Sequence, residues 1–148
     1  RPGNEWSYRY ARRQWHLVDD LRLRYSQLND FDRAMIREIK GLVGADYSYV
    51  RIDSERQLIS FARDGRLFVF NFSSVSLTDW RVSAPKKDWQ IVLSTDDPSY
   101  GGFGRVDTSM IYLGNGNGRD SYVQLYLPAR VALVLEPKYR DLAASPWR

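Results

Sequence analysis

The chain has 148 residues, 43% of them hydrophobic, which suffices for one ordinary domain with its own core and an attached helical segment. Its formal charge of +4 sets 22 basic against 18 acidic side chains, and the arginines are spread from Arg1 to Arg148 beside frequent Asp and Glu. That is the pattern of a salt-bridged surface rather than a phosphate-tracking stripe, so nucleic acid is not an expected partner. The lack of cysteine excludes disulfide scaffolds, thiol catalysis and thiolate metal sites. No apolar run reaches the roughly 20 residues that a membrane span needs, and no signal-peptide pattern opens the chain, so no membrane partner and a cytoplasmic location are expected. The first residue is Arg1 rather than Met, which raises the expectation of a further part upstream.

In chain order, Tyr8, Ala11, Trp15 and Val18 recur at spacings of three and four and predict a first helix. A second is predicted by the stripe Leu28, Phe31, Met35, Ile39 and Leu42, with Asn29 placed to cap its start and Gly41 and Gly44 to end it. Two such helices make a poor core alone, which implies a partner for their apolar faces. From about Tyr47 the period changes to two and the residues become β-branched and aromatic. The clearest element is the hairpin running from Gln57 to Phe72, in which Asp64-Gly65 supplies the two positive φ angles of a type I′ turn and Phe68, Phe70 and Phe72 share one side. Further strands are expected at Trp80–Val82, Trp89–Leu93, Val106–Leu113, Tyr122–Leu127 and Val131–Leu135. Seven or so short strands at this spacing predict a mainly β fold, an antiparallel β-sandwich, preceded by a short helical segment. The division expected is 1–45 helical, 46–136 sandwich and 137–148 tail.

Candidate chemistry is sparse. His16, the single histidine, stands beside Trp15 with no second ligand or nucleophilic partner in its segment. Asp96-Asp97 is a pair of acids, but adjacent carboxylates rarely converge on one substrate atom, and Asp before Pro98 is a turn initiator. Gly114, Gly116 and Gly118 lie between strands rather than between a strand and a helix, which makes them a hairpin loop and not a phosphate cradle. Sugar rings present apolar C–H faces that stack on aromatic rings, so Trp80, Trp89, Tyr100 and Phe103 are candidate carbohydrate contacts, against the competing reading that the two tryptophans are core. Asn71-Phe72-Ser73 matches a glycosylation sequon, yet it falls inside a predicted strand. No catalytic, metal or cofactor site is predicted.

The segments NEWSYRYARRQWHLVDD (Asn4–Asp20) and LRYSQLNDFDRAM (Leu23–Met35), then ISFARDGRLFVFNF, TDWRVSAPKKDWQIVLSTDDPSYGGFGRVD and LPARVALVL, together resemble glycogen and starch branching enzymes of the α-amylase superfamily. The resemblance runs in order from about Asn4 to Leu135. It implies that the strands form that family's C-terminal all-β domain and that the opening helices are the end of a (β/α)8 catalytic barrel, which is then their missing partner. It also implies an α-glucan substrate and a retaining chain transfer through an aspartate nucleophile and a glutamate acid/base on barrel strands, whose motifs match nothing in this chain. The segment Arg1–Tyr8 would follow the eighth barrel strand, which makes Asn4, Trp6 and Tyr8 further candidates for glucan contact. Ser94 stands where that family commonly has Asp. The alternative expectation is a free-standing carbohydrate-binding sandwich.

Overall fold

The structure, a computed structural model, describes Asp19, residues 24–41 and residues 44–139. The predicted first helix, His16 and the residues Asn4, Trp6 and Tyr8 lie outside the described residues. A helix, α1, spans Tyr25–Ile39. Among the described residues nine strands follow: β1 (Tyr47–Asp53), β2 (Leu58–Arg63), β3 (Arg66–Asn71), β4 (Leu77–Ser83), β5 (Asp88–Ser94), β6 (Ile111–Tyr112), β7 (Gly114–Asn115), β8 (Tyr122–Leu127) and β9 (Val131–Lys138). All their pairings are antiparallel. One sheet has the order β1-β2-β3-β9-β5-β6 and the second β4-β8-β7, and the expected mainly β sandwich is observed.

The turn between β2 and β3 follows from its two residues. Asp64 and Gly65 have φ of 48° and 74°, the left-handed pair that a type I′ turn requires, and Arg63 pairs directly with Arg66. This register sets the period-two alternation: Leu67 and Val69 face the second sheet, while Phe68 and Phe70 face away from it. β9 inserts between β3 and β5 and repeats the pattern, with Val131, Leu133 and Leu135 inward and Val134 outward. Val82 of β4 and Val123, Leu125 and Leu127 of β8 close the inner core from the opposite sheet. Trp89 of β5 stands in its middle, fully buried, with its indole N–H donated to Pro85 O at 3.2 Å.

The outer face of the larger sheet is apolar as well and is covered by α1. Ala34, flanked by Phe31 and Met35, packs on Phe68, Leu93 and Val134. Arg66 of β3 fastens the last turn of the helix, through an ion pair with the Glu38 carboxylate at 2.7 Å and a bond to the Glu38 carbonyl. The helix departs from expectation at its start: Asn29 lies one turn inside, and Arg24 occupies the N-cap with no side-chain bond to the free backbone N–H groups. The predicted stripe also divides. Phe31 and Met35 turn inward with Ala34, whereas Leu28 and Ile39 remain exposed with Tyr25 and Ile36.

Several strands differ from the reading of the sequence: β1 and β7 are not among the expected strands, and β4 begins at Leu77, three residues before the expected Trp80. The segment expected as a strand over 106–113 is paired only at Ile111–Tyr112, because Asp107 accepts bonds from Ser109 N and Ser109 Oγ and turns the chain before it reaches β5. β9 runs to Lys138, three residues past the expected Leu135, because Asp88–Gln90 continue to pair with Glu136–Lys138.

Asn71 ties the two sheets together. At the inner end of β3 it is buried, and its amide nitrogen faces Val75 O at 3.0 Å, Pro128 O at 3.1 Å and Leu127 O at 3.3 Å, while its oxygen accepts from Ser73 N and Ser73 Oγ. The amide supplies both the donors and the acceptor that this junction needs, a combination no carboxylate or hydroxyl of the same size provides. Asn71→Ala should therefore cost about 2–4 kcal/mol of unfolding free energy in urea titration, and Asn71→Asp more than that at neutral pH, where its oxygens face carbonyls.

Candidate functional site

Trp80, Trp89, Tyr100 and Phe103, the aromatic candidates among the described residues, take four different positions. Trp89 has 0% of its surface exposed, so its ring is core and cannot meet a sugar; the period-two pattern placed it on a strand but did not reveal that its face is the inner one. Tyr100 is half-buried, with its ring edge-on to Phe31 at 5.4 Å, and joins the helix to the loop after β5. It borders a groove of about 580 Å³ along α1 that is lined by Asp30, Arg33, Ile36 and Arg37. Phe103 is the opposite of Trp89: 83% exposed at the tip of the same loop, with the Arg105 guanidinium 5.2 Å from its ring centre.

That loop, residues 94–105, is held by one carboxylate. Asp96 is 3% exposed and accepts bonds from Arg105 N at 2.7 Å, Arg105 Nη2 at 2.9 Å and Phe103 N at 3.2 Å. Its own N–H is donated to Ser94 Oγ at 3.1 Å, and its carbonyl accepts from Gly104 N at 2.7 Å. Ser94, which stands where the resembled family commonly has Asp, is therefore a buried acceptor for the loop. A Cβ on Gly102 would stand 2.1 Å from the Asp96 carbonyl carbon, so the ring closes only around glycine. Asp97 starts a short 3-10 helix, Pro98–Tyr100, by accepting from Ser99 N at 2.8 Å. Both acids of the pair are thus occupied in building the loop, which is the turn chemistry read from Asp-Pro, and they do not converge on a common point.

Burial alone would raise the Asp96 pKa. The guanidinium of Arg105 and the two backbone N–H bonds outweigh it and hold the carboxyl below its ordinary value of 3.8. A depressed folded value stabilises the fold above the unfolded value, and that contribution is lost as pH falls through the folded value. Replacing Asp96 by Asn should therefore lower the thermal midpoint at about pH 6, and the gap from the parent chain should close as the pH falls below 3.8. Melting curves across that range check the sign, and a gap that widens toward acid would contradict it.

Trp80 lies in a setting that the sequence did not disclose. β4 is the edge strand of the smaller sheet and β1 the edge of the larger, and a groove of about 440 Å³ opens between them. Its walls carry Arg51, Asp53 and Glu55 on one side and Trp80 and Arg81 on the other, with Leu58 and Ser60 at the back. The Trp80 ring is half-buried against the inner core, and the Arg56 guanidinium lies 5.4 Å from its centre, tethered by Arg56 Nη1 to Asp53 Oδ2 at 3.2 Å. The Arg56 N–H, at 2.9 Å from Asp53 Oδ1, is the main influence holding that carboxyl below its ordinary value. Both edge strands are bulged at this point: the register slips between Ser48 and Arg51 in β1 and between Leu77 and Trp80 in β4. Tyr49 and Asp79, within the two slips, have φ of 52° and 49°. A bulge leaves no alternation signature, which is why the groove is not readable from residue order. Among the described residues no group of three or more His, Cys, Asp or Glu is placed to hold a metal ion, and no helix is long and apolar enough to cross a membrane.

Residues 49–138 match the family of alpha amylase C-terminal all-beta domains. Over 143 residues, 91% of its length, the chain is 40% identical to the 1,4-alpha-glucan-branching enzyme of Rhizophagus irregularis, and it covers 21% of that protein. It is 41% identical to the enzyme of the same name from Yarrowia lipolytica over 90% of its length, and 43% identical to that of Felis catus over 92%, again covering 21% of each. The chain thus spans about a fifth of the length of the curated relatives it matches.

Proposed function

Because the chain belongs to the family of alpha amylase C-terminal all-beta domains, we propose that it is the non-catalytic C-terminal part of a 1,4-α-glucan branching enzyme. Such an enzyme, a retaining glycosyltransferase, cuts an α-1,4 chain and joins it to a 6-hydroxyl as a branch in glycogen or starch synthesis. The observation that carries this reading is the 40–43% identity to enzymes of that name over nine-tenths of the chain. The reaction needs a carboxylate nucleophile and a carboxylic acid/base in one cleft about 5 Å apart. Among the described residues the buried carboxylate is Asp96, and it is committed to Arg105; on this reading the reacting acids lie on a barrel elsewhere in the parent enzyme.

On this reading, residues 1–45 finish the barrel, 46–136 form the sandwich and 137–148 are a tail, in a cytoplasmic enzyme that acts on α-glucan. Helix α1 is then the joint. One flank rests on the sheet through Phe31, Ala34 and Met35, and the other carries Leu28 and Ile36, which are 55% and 58% exposed. Apolar side chains on a helix flank are the material of a contact with a larger body. Asn4, Trp6 and Tyr8, placed after the last barrel strand by the resemblance, and Trp80, Tyr100 and Phe103 are the proposed glucan contacts.

Two outcomes test the reading. The parent enzyme should lower the iodine-stained absorbance of amylose while this chain alone leaves it unchanged; turnover by the chain alone would refute a non-catalytic role. Ile36→Asp should leave the melting of this chain within about 0.5 kcal/mol of its parent, as for an exposed site, yet destabilise the whole enzyme by about 2 kcal/mol or more.

A further inference from the structure

We infer that the groove between the open edges of the two sheets is a docking site for a short, unreacting stretch of α-1,4-glucan, with Trp80 as its apolar wall. The groove lies within the size range of small-molecule sites and reaches inward to Leu58 and Ser60. Its rim carries both signs of charge: Arg51, Arg81 and the Arg56 guanidinium over Trp80 stand with Asp53 and Glu55. A mixed rim offers guanidinium donors and carboxylate acceptors together. A sugar hydroxyl uses both, donating to the carboxylates and accepting from the guanidinium groups, while its ring presents C–H bonds to an indole face.

The backbone around the groove is shaped for this. In an unbroken strand, residues three apart face opposite sides, yet Leu77 and Trp80 both pack toward the core because the bulge between them inserts an extra residue. That slip is what turns the Trp80 ring into the groove. It requires a non-glycine residue, Asp79, in the left-handed region, and the facing strand holds Tyr49 in the same region. Neither of these two side chains lines the groove; the bulges they sit in set the course of the two edges that bound it. Arg56, exposed and held to Asp53 at 3.2 Å, rests over the indole where a sugar ring would stack. An exposed pair of this kind is weakly held, and a sugar face displaces it.

The choice of α-1,4-glucan rests on the function proposed above; the groove by itself specifies a neutral polyol with an apolar face. The test is hydrogen–deuterium exchange of the parent enzyme with and without maltoheptaose. Backbone amides of 51–60 and 77–83 should exchange more slowly with the sugar, and Trp80→Ala should weaken the affinity read from those segments about fivefold. Glu55→Ala, at an exposed position in the turn after β1, should also weaken it and guards against a Trp80 variant that fails to fold. Protection elsewhere with none in these two segments overturns the docking site and leaves the branching-enzyme reading standing. Protection nowhere, in a protein that also fails to branch amylose, removes both.

Discussion

The larger sheet buries apolar side chains on both of its faces, and the rest of the architecture follows from the need to cover it twice. An antiparallel sheet commonly keeps one face in water. Here β3 and β9 send Leu67, Val69, Leu133 and Leu135 one way and Phe68 and Val134 the other. The smaller sheet covers the first set. Helix α1 covers the second, and it does so with a narrow contact, Ala34 between Phe31 and Met35, that leaves the Phe70–Phe72 stack reaching out beyond the buried cluster. A 15-residue helix thus carries apolar residues on two flanks, one set on the sheet and the other exposed among the described residues.

The unequal widths of the sheets decide where a ligand can enter. Six strands face three, so the smaller sheet cannot close both long sides of the larger, and the β1 and β4 edges stay open toward each other. Bulges at both edges have a second effect, since an interrupted ladder is a poor template for pairing with another chain. Protection of the edges and shaping of the groove are served by the same two irregularities, at Tyr49 and Asp79.

What the sequence disclosed and what it hid divide along physical lines. Turn chemistry was legible: Asp64-Gly65 dictated the hairpin, and Asp-Pro dictated the Asp97 turn, because both depend on residues adjacent in the chain. Long motifs in order disclosed the family over nearly the whole chain. Facing was not legible for Trp89, since alternation separates two faces without saying which is inner when both are apolar. Nor was the helix start: a cap residue was available at Asn29, but the packing of Phe31 and Ala34 on the sheet extends the helix back to Tyr25 without one. The groove around Trp80 was hidden for a third reason. Its parts lie on β1, β2 and β4 and meet only after two register slips that no periodic pattern encodes.

The buried amide of Asn71 belongs to an Asn-Phe-Ser triplet that glycosylating enzymes accept as a substrate while a chain is still unfolded. In the finished fold the same nitrogen is shared among the carbonyls of Val75, Leu127 and Pro128 with no room for an attached glycan. Folding and modification thus compete for one atom. Production through a eukaryotic secretory route would put the sugar on first and yield chains unable to close the sandwich, whereas a host that adds no such sugar to the nascent polypeptide avoids the conflict.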